Sequence, residues 1–200
     1  MTTPSTTLRT LLSLGQAPSA LSDSALILID CQNTYREGVM KLEGVEEALT
    51  ECQTLLERAR GAGIPIFHIQ HDAGPGSPYD IRADIGAIAD PVAPKNGEPV
   101  ITKHLPNSFV DTDLHDSLQQ VGVRNIILAG FMTHMCVNST AHGGFNLGYA
   151  PTVVASATAS RPLEARDGQV LSAEAVRDGA LASTRDLYAI IVNTAADIPD

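Results

Sequence analysis

Apolar residues along the chain alternate between two rhythms. Short runs such as Ala25-Leu26-Ile27-Leu28-Ile29, Ile64 to His71, Val100 to Thr102, Asn125 to Ala129, Ala150 to Ala155 and Leu187 to Val192 are mostly apolar and rich in β-branched residues. Runs of this kind predict strands buried on both faces, as in a parallel sheet. Between them the apolar positions spread to helical spacing. Val45, Leu49, Cys52, Leu55, Leu56 and Ala59 form one stripe, closed by Gly61 and Gly63. Leu114, Leu118 and Val121 form a second, opened by Asp111 or Thr112. Val137, Ala141 and Phe145 form a third that stops at Leu147-Gly148, and Ala175, Val176, Leu181 and Ala182 a fourth. Strands alternating with amphipathic helices predict an α/β fold, a parallel sheet covered on both faces.

Two regions break the rhythm. Residues 1–23 are rich in Thr, Ser and Pro and hold one short apolar stretch, Leu8 to Leu14. They are read as an extension, flexible except for a short helix packed on the body or on a neighbouring subunit. Residues 24–200 form the single domain expected at this length. The second break is Asp72 to Pro99, with Gly74-Pro75-Gly76-Ser77-Pro78 and Pro94-Lys95-Asn96-Gly97. Connections this long are lids, binding loops or subunit contacts. Its Gly-x-Gly does not open a helix, so a dinucleotide fingerprint is discarded.

Charge narrows the partners. Twenty-three acidic against 13 basic residues leave a net charge of −10, which argues against nucleic acid or an anionic membrane surface. No apolar run reaches the ~20 residues of a spanning helix. Cys31, Cys52 and Cys136 are too few and too odd in number for a disulfide framework, so a cytoplasmic location is expected. Cys52, on a helical stripe, reads as core packing.

The chemistry collects where predicted strands end. Asp30 follows the first run directly, and Gln32, Asn33 and Tyr35 keep that end polar. Asp30 is either the cap of a loop or a carboxylate that needs a partner. Lys103 ends the strand Val100 to Thr102 and is one of only three lysines. After the run Asn125 to Ala129, Gly130 leads into a helix near whose mouth stands Cys136. That sulfur is either a small buried hydrophobe or, beside the free N–H groups of a helix start, a thiol biased toward thiolate. Carboxyl ends of parallel strands share one edge of a sheet, where α/β proteins place their ligands. An acid, a base and a thiol thus converge. His68 and His71 have opposite parity on the second strand and face opposite sides. With no Asp-x-His pattern nearby, no catalytic metal or other cofactor is expected. His71, near the strand end, is either a pocket residue or a solvated loop histidine.

These residues carry a resemblance. Asp30-x-Gln32 with Tyr35, Lys103 with Ser108-Phe109, and Gly130-x-x-Thr133-x-x-Cys136-Val137-x-x-Thr140-Ala141 resemble the isochorismatase-like cysteine hydrolases, from about Leu26 to Ala195. The resemblance implies a Rossmann-like three-layer α/β/α sandwich whose six-stranded, mostly parallel sheet has the order 3-2-1-4-5-6. It implies a triad of Asp30, Lys103 and Cys136. It also implies a cis peptide at Phe131–Met132 that aims the N–H groups of Met132 and Cys136 into an oxyanion hole. Gln32, Tyr35, His71, Phe109, Thr133 and His134 are the candidate substrate-binding residues. The metal-dependent nicotinamidase branch has an Asp-x-His…His cluster that this chain lacks. Many members carry an acid where this chain has His134, which either alters pocket charge or only decorates a helix start.

Three functions are compatible with this constellation. The first is a metal-independent amidohydrolase, cleaving a C–N bond of a small molecule through a thioester on Cys136. The second is a vinyl-ether hydrolase with Asp30 as general acid. The third is a non-catalytic binding or scaffold protein with an ordinary thiol. A homo-oligomer is expected, its order unspecified.

Overall fold

The computed structural model describes residues 3–200. Six strands build the main sheet: β1 (Ser24–Ile29), β2 (Ile66–His71), β3 (Val100–Lys103), β4 (Asn125–Phe131), β5 (Ala150–Ala159) and β8 (Ile190–Val192). Between β5 and β8 a small antiparallel hairpin forms from β6 (Leu163–Glu164) and β7 (Val170–Leu171). All pairings in the main sheet are parallel, in the order β3-β2-β1-β4-β5-β8. Counted within that sheet alone this is 3-2-1-4-5-6, the expected Rossmann-like order.

The alternation of side chains across β1 assigns the two layers. Leu26 and Leu28 join the cluster under α2 (Val45–Ala62), with Leu49, Cys52, Leu55 and Leu56. Ala25, Ile27 and Ile29 face the other way, onto α3 (Leu114–Gln120), α4 (Asn138–Asn146) and α5 (Ala173–Leu187). Every residue of β1 is buried, which is why its run shows no polar alternation. Helix α2 begins with Glu46 and Glu47 and ends with Arg60 and the left-handed Gly63, charges and cap suited to the helix dipole.

Differences from the sequence reading have physical causes. The short helix expected in the N-terminal stretch is present: α1 (Leu8–Leu11) lies on α5, and the buried Arg9 donates to the carbonyls of Leu187 and Gly15. The fifth strand runs on to Ala159 instead of stopping at Ala155, because residues 154–157 bulge between the pairs Leu128–Val153 and Gly130–Thr158. Cys52 donates to the Ala157 carbonyl inside that bulge. Leu187 belongs to α5, not to the last strand. The long loop is stapled down. Gln32 forms a bridge with Ile88, Ala89 N–H donates to Cys31, and Asn33 N–H donates to Ala87.

Candidate active site

The carboxyl edges of β1, β3 and β4 bring three distant side chains together. Asp30 leaves β1 with a left-handed backbone, φ 50°, a conformation that Asp tolerates better than most residues. This turn sends the carboxylate across the end of the sheet. Beside it Gly130 ends β4 at φ 112°, where a Cβ would come 2.0 Å from the Ile29 carbonyl oxygen. Only glycine allows the two strand ends to approach so closely. Lys103 is the last residue of β3 and pairs in register with His71 of β2. Cys136 lies in one π-helical turn, Thr133–Val137, that precedes α4. The peptide Phe131–Met132 is cis.

The distances make one cluster. Lys103 Nζ lies 2.7 Å from Asp30 Oδ2 and 3.4 Å from Cys136 Sγ, and 3.2 Å from His71 Nδ1. Asp30 and Lys103 are both fully buried. The lysine approaches the carboxylate as a close ion pair but off the hydrogen-bonding line. Neither carboxylate oxygen therefore has a well-aligned hydrogen-bond donor among the described residues. An acceptor left open in the interior is costly unless something else uses it.

Electrostatics decide the protonation states. Burial pushes the Asp30 carboxyl above its ordinary range, while the charge of Lys103 pulls it back. Cys136 is pushed up to about 12, by burial first and by the Asp30 charge second, with Lys103 opposing. The expected bias toward thiolate is therefore corrected. The sulfur is buried next to a carboxylate, and these effects outweigh a helix start that it does not occupy as a first residue. At rest the sulfur is a thiol. His71 falls to about 4, through burial and then the neighbouring Lys103, so it stays neutral. Its Nδ1 accepts from Lys103.

The candidate binding residues divide. Tyr35 is buried and meets Phe131 edge-on at 5.6 Å and Tyr79 at 5.8 Å. The charges of Asp30 and Cys136 help to raise its phenol well above the ordinary value, after burial. His134 is half-buried, and its Nδ1 lies 3.1 Å from Ser160 Oγ. Three other candidates have protein partners. The fully buried Gln32 amide donates to the carbonyls of His71 and Gly86 and accepts from His71 N–H, which clamps the long loop onto β2. Thr133 donates to the Ala159 carbonyl and pins the π-helical turn to β5. Phe109 stacks on Tyr149 at 5.6 Å, by Gly144 in the layer of α4.

One residue at the site escaped the sequence reading. Tyr79 comes from the long loop and stands edge-on to His71 at 5.0 Å as well as to Tyr35. No periodicity marks it.

Comparisons with known proteins give the family. The family model described as Isochorismatase domain matches residues 24–186, and the chain belongs to that family of hydrolases. The secreted isochorismatase effector Isc1 of Verticillium dahliae is 36% identical over 182 residues, 87% of this chain and 96% of the relative. The ureidoacrylate amidohydrolase RutB of Stutzerimonas stutzeri is 30% identical over 68% of this chain and 70% of its own. A crystal structure of an isochorismatase from Pseudomonas putida superposes with a TM-score of 0.93 at 36% identity, covering 96% of this chain and 99% of the other. No helix among the described residues is long and apolar enough to cross a membrane. Since one similar protein is secreted, a sparse set of cysteines does not by itself assign the compartment.

Proposed function

We propose that this hydrolase cleaves a C–N bond of a small amide or ureide through a covalent intermediate on Cys136. The observation that carries the reading is the contact of Lys103 with both Asp30 and Cys136 inside a buried cluster. A carboxylate raised by burial is a stronger base, closer to working pH. A thiol held near 12 needs such a base at the moment of attack.

In the proposed sequence Asp30 takes the thiol proton as Sγ bonds to the substrate carbonyl carbon. The carbonyl π pair moves to oxygen, and the N–H groups of Met132 and Cys136 receive that oxyanion. Asp30 then delivers its proton to the leaving nitrogen as the C–N bond breaks, which leaves a thioester. Asp30 next takes a proton from water while the hydroxyl attacks the thioester. The intermediate collapses, the C–S bond breaks, and Asp30 returns the proton to sulfur. Lys103 touches both partners and stabilises whichever of them holds the negative charge. His71, Tyr35 and Tyr79 serve as walls. The name of the amidohydrolase relative from Stutzerimonas stutzeri supports C–N cleavage in a similar chain.

The raised Asp30 carboxyl also suits a general acid, and so supports a second reading, vinyl-ether hydrolysis without a sulfur nucleophile. Cys136→Ala separates the two. Assayed for ammonia on a panel of small amides, the variant is expected to lose turnover by at least ~1,000-fold. Full turnover in Cys136→Ala with a dead Asp30→Ala, read as pyruvate release from isochorismate, replaces the amide reading with the vinyl-ether one. A homo-oligomer belongs to the same proposal. The exposed Leu11 and Leu12 of α1 and the exposed Val170 and Leu171 of the hairpin support it, and light scattering of the purified chain tests it.

A further inference from the structure

An ammonium carries N–H donors and no lone pair, so the contacts of Lys103 fix what its partners do. Nζ donates to Cys136 Sγ at 3.4 Å and meets His71 Nδ1 at 3.2 Å. Asp30 Oδ2 is nearer, at 2.7 Å, yet the approach is off line and both carboxylate oxygens lack an aligned donor. A buried ammonium beside a carboxylate ordinarily settles into a charge-assisted hydrogen bond. Here the ammonium shares itself with the sulfur and with the imidazole. A histidine that served only as a wall would need no ring nitrogen aimed at Nζ.

Of the two side chains, the imidazole is the fixed one. His71 and Lys103 are in-register neighbours at the ends of β2 and β3, so their side chains leave the same face of the sheet. Gln32 holds both backbone groups of His71, accepting from its N–H at 2.9 Å and donating to its carbonyl at 3.0 Å. Tyr79 meets the ring edge-on at 5.0 Å. The ammonium, by contrast, ends a flexible stem with rotatable donors, and it follows the ring. Because Nζ can only donate, Nδ1 is bare and the ring proton is on Nε2. Burial and then the charge of Lys103 hold His71 down to about 4, so the ring is a neutral acceptor at working pH.

We infer that His71 is a positioning residue that competes with Asp30 for the Lys103 ammonium and so leaves the carboxylate open to the Cys136 proton. The inference rests on the proposed hydrolysis, in which Asp30 takes that proton. An ammonium aligned on Asp30 would favour the charged carboxylate and weaken it as a base. It would also withdraw from Cys136 and make the sulfur harder to ionise. Held between ring and sulfur, the same charge supports the thiolate as it forms.

Two substitutions separate this role from that of a wall. Asn puts its amide oxygen close to the place of Nδ1 and keeps an acceptor for Nζ, whereas Phe keeps the ring and removes the acceptor. On the panel of small amides, His71→Phe is expected to lower kcat at least ~10-fold and His71→Asn by less. A loss confined to KM, or one as deep in His71→Asn as in His71→Phe, overturns the inference. Alkylation needs no turnover. With iodoacetamide at pH 8, followed at Cys136 by mass spectrometry, His71→Phe is expected to react at least ~3-fold more slowly than native protein, and His71→Asn no more slowly. Equal or faster reaction in His71→Phe overturns the inference. Native protein with isotope-labelled histidine nitrogens, read by NMR at pH 7, decides the matter even if His71→Phe does not fold. The His71 ring is expected as the Nε2–H tautomer, and an Nδ1–H tautomer or an imidazolium overturns the inference. Failure of the native enzyme on every amide refutes the amide reading alone and leaves alkylation and the tautomer to decide on His71.

Discussion

Replacing Lys103 by Met isolates the interaction on which the site is built. The two side chains are similar in length, and Lys103 is fully buried, so the substitution fills the volume and removes the charge. What remains is Asp30, also fully buried, stripped of the ammonium 2.7 Å away. Breaking one side of a buried pair costs about 3–5 kcal/mol, because the other charge is left uncompensated. For a chain of this size each kcal/mol moves the melting midpoint by roughly 2–4 °C. The expected loss in Tm is then roughly 6–20 °C. Activity fails for a separate reason. Without Lys103 only the Cys136 thiol opposes the burial that raises the Asp30 carboxyl, so it holds its proton more tightly and is a poorer acceptor for the one on Cys136.

The companion variant decides whether this account is right. Asp30→Asn together with Lys103→Met removes both charges and leaves a neutral amide beside a thioether. Double-mutant logic then expects the pair to be less destabilised than the sum of the singles, by about 1–3 kcal/mol. Urea unfolding of native, single and double variants measures the cycle. Two results refute the reasoning: a Lys103→Met cost below about 1 kcal/mol, or costs that simply add.

Further consequences follow from the same geometry. Asp30→Asn is expected to be inactive yet more readily alkylated: the Asp30 charge raises Cys136 and Lys103 lowers it, so removing the former brings the thiol below 12, and iodoacetamide at pH 8 reacts faster than with native protein. Gly130→Ala is expected to destabilise by about 3 kcal/mol or more in urea unfolding, since its Cβ would lie 2.0 Å from the Ile29 carbonyl oxygen at φ 112°. Glu98, gripped by Arg60 at 2.7 Å and bonded to His68, is held down to about 2. A depressed carboxyl gives stability that is present above its unfolded value and lost as pH falls. The gap between native protein and Glu98→Gln is therefore expected to be about 2–3 kcal/mol above pH 5 and to vanish toward pH 2, read as the urea midpoint against pH.

The layers and the convergence of Asp30, Lys103 and Cys136 were legible from periodicity, while the strand order came from the family resemblance. Continuous apolar runs locate strands buried on both faces, and the polar residue that ends each run locates the sheet edge. Errors arose where tertiary bonds, not local pattern, set the outcome. Thr158 and Ala159 belong to β5 only because a bulge at residues 154–157 lets them resume pairing with β4. The bonds of Gln32 to the long loop could not be foreseen, because they exist only once that loop folds back with Gly86. Cys136 looked like a helix-start thiol. Its neighbours, thirty and more residues away in the chain, reverse that tendency.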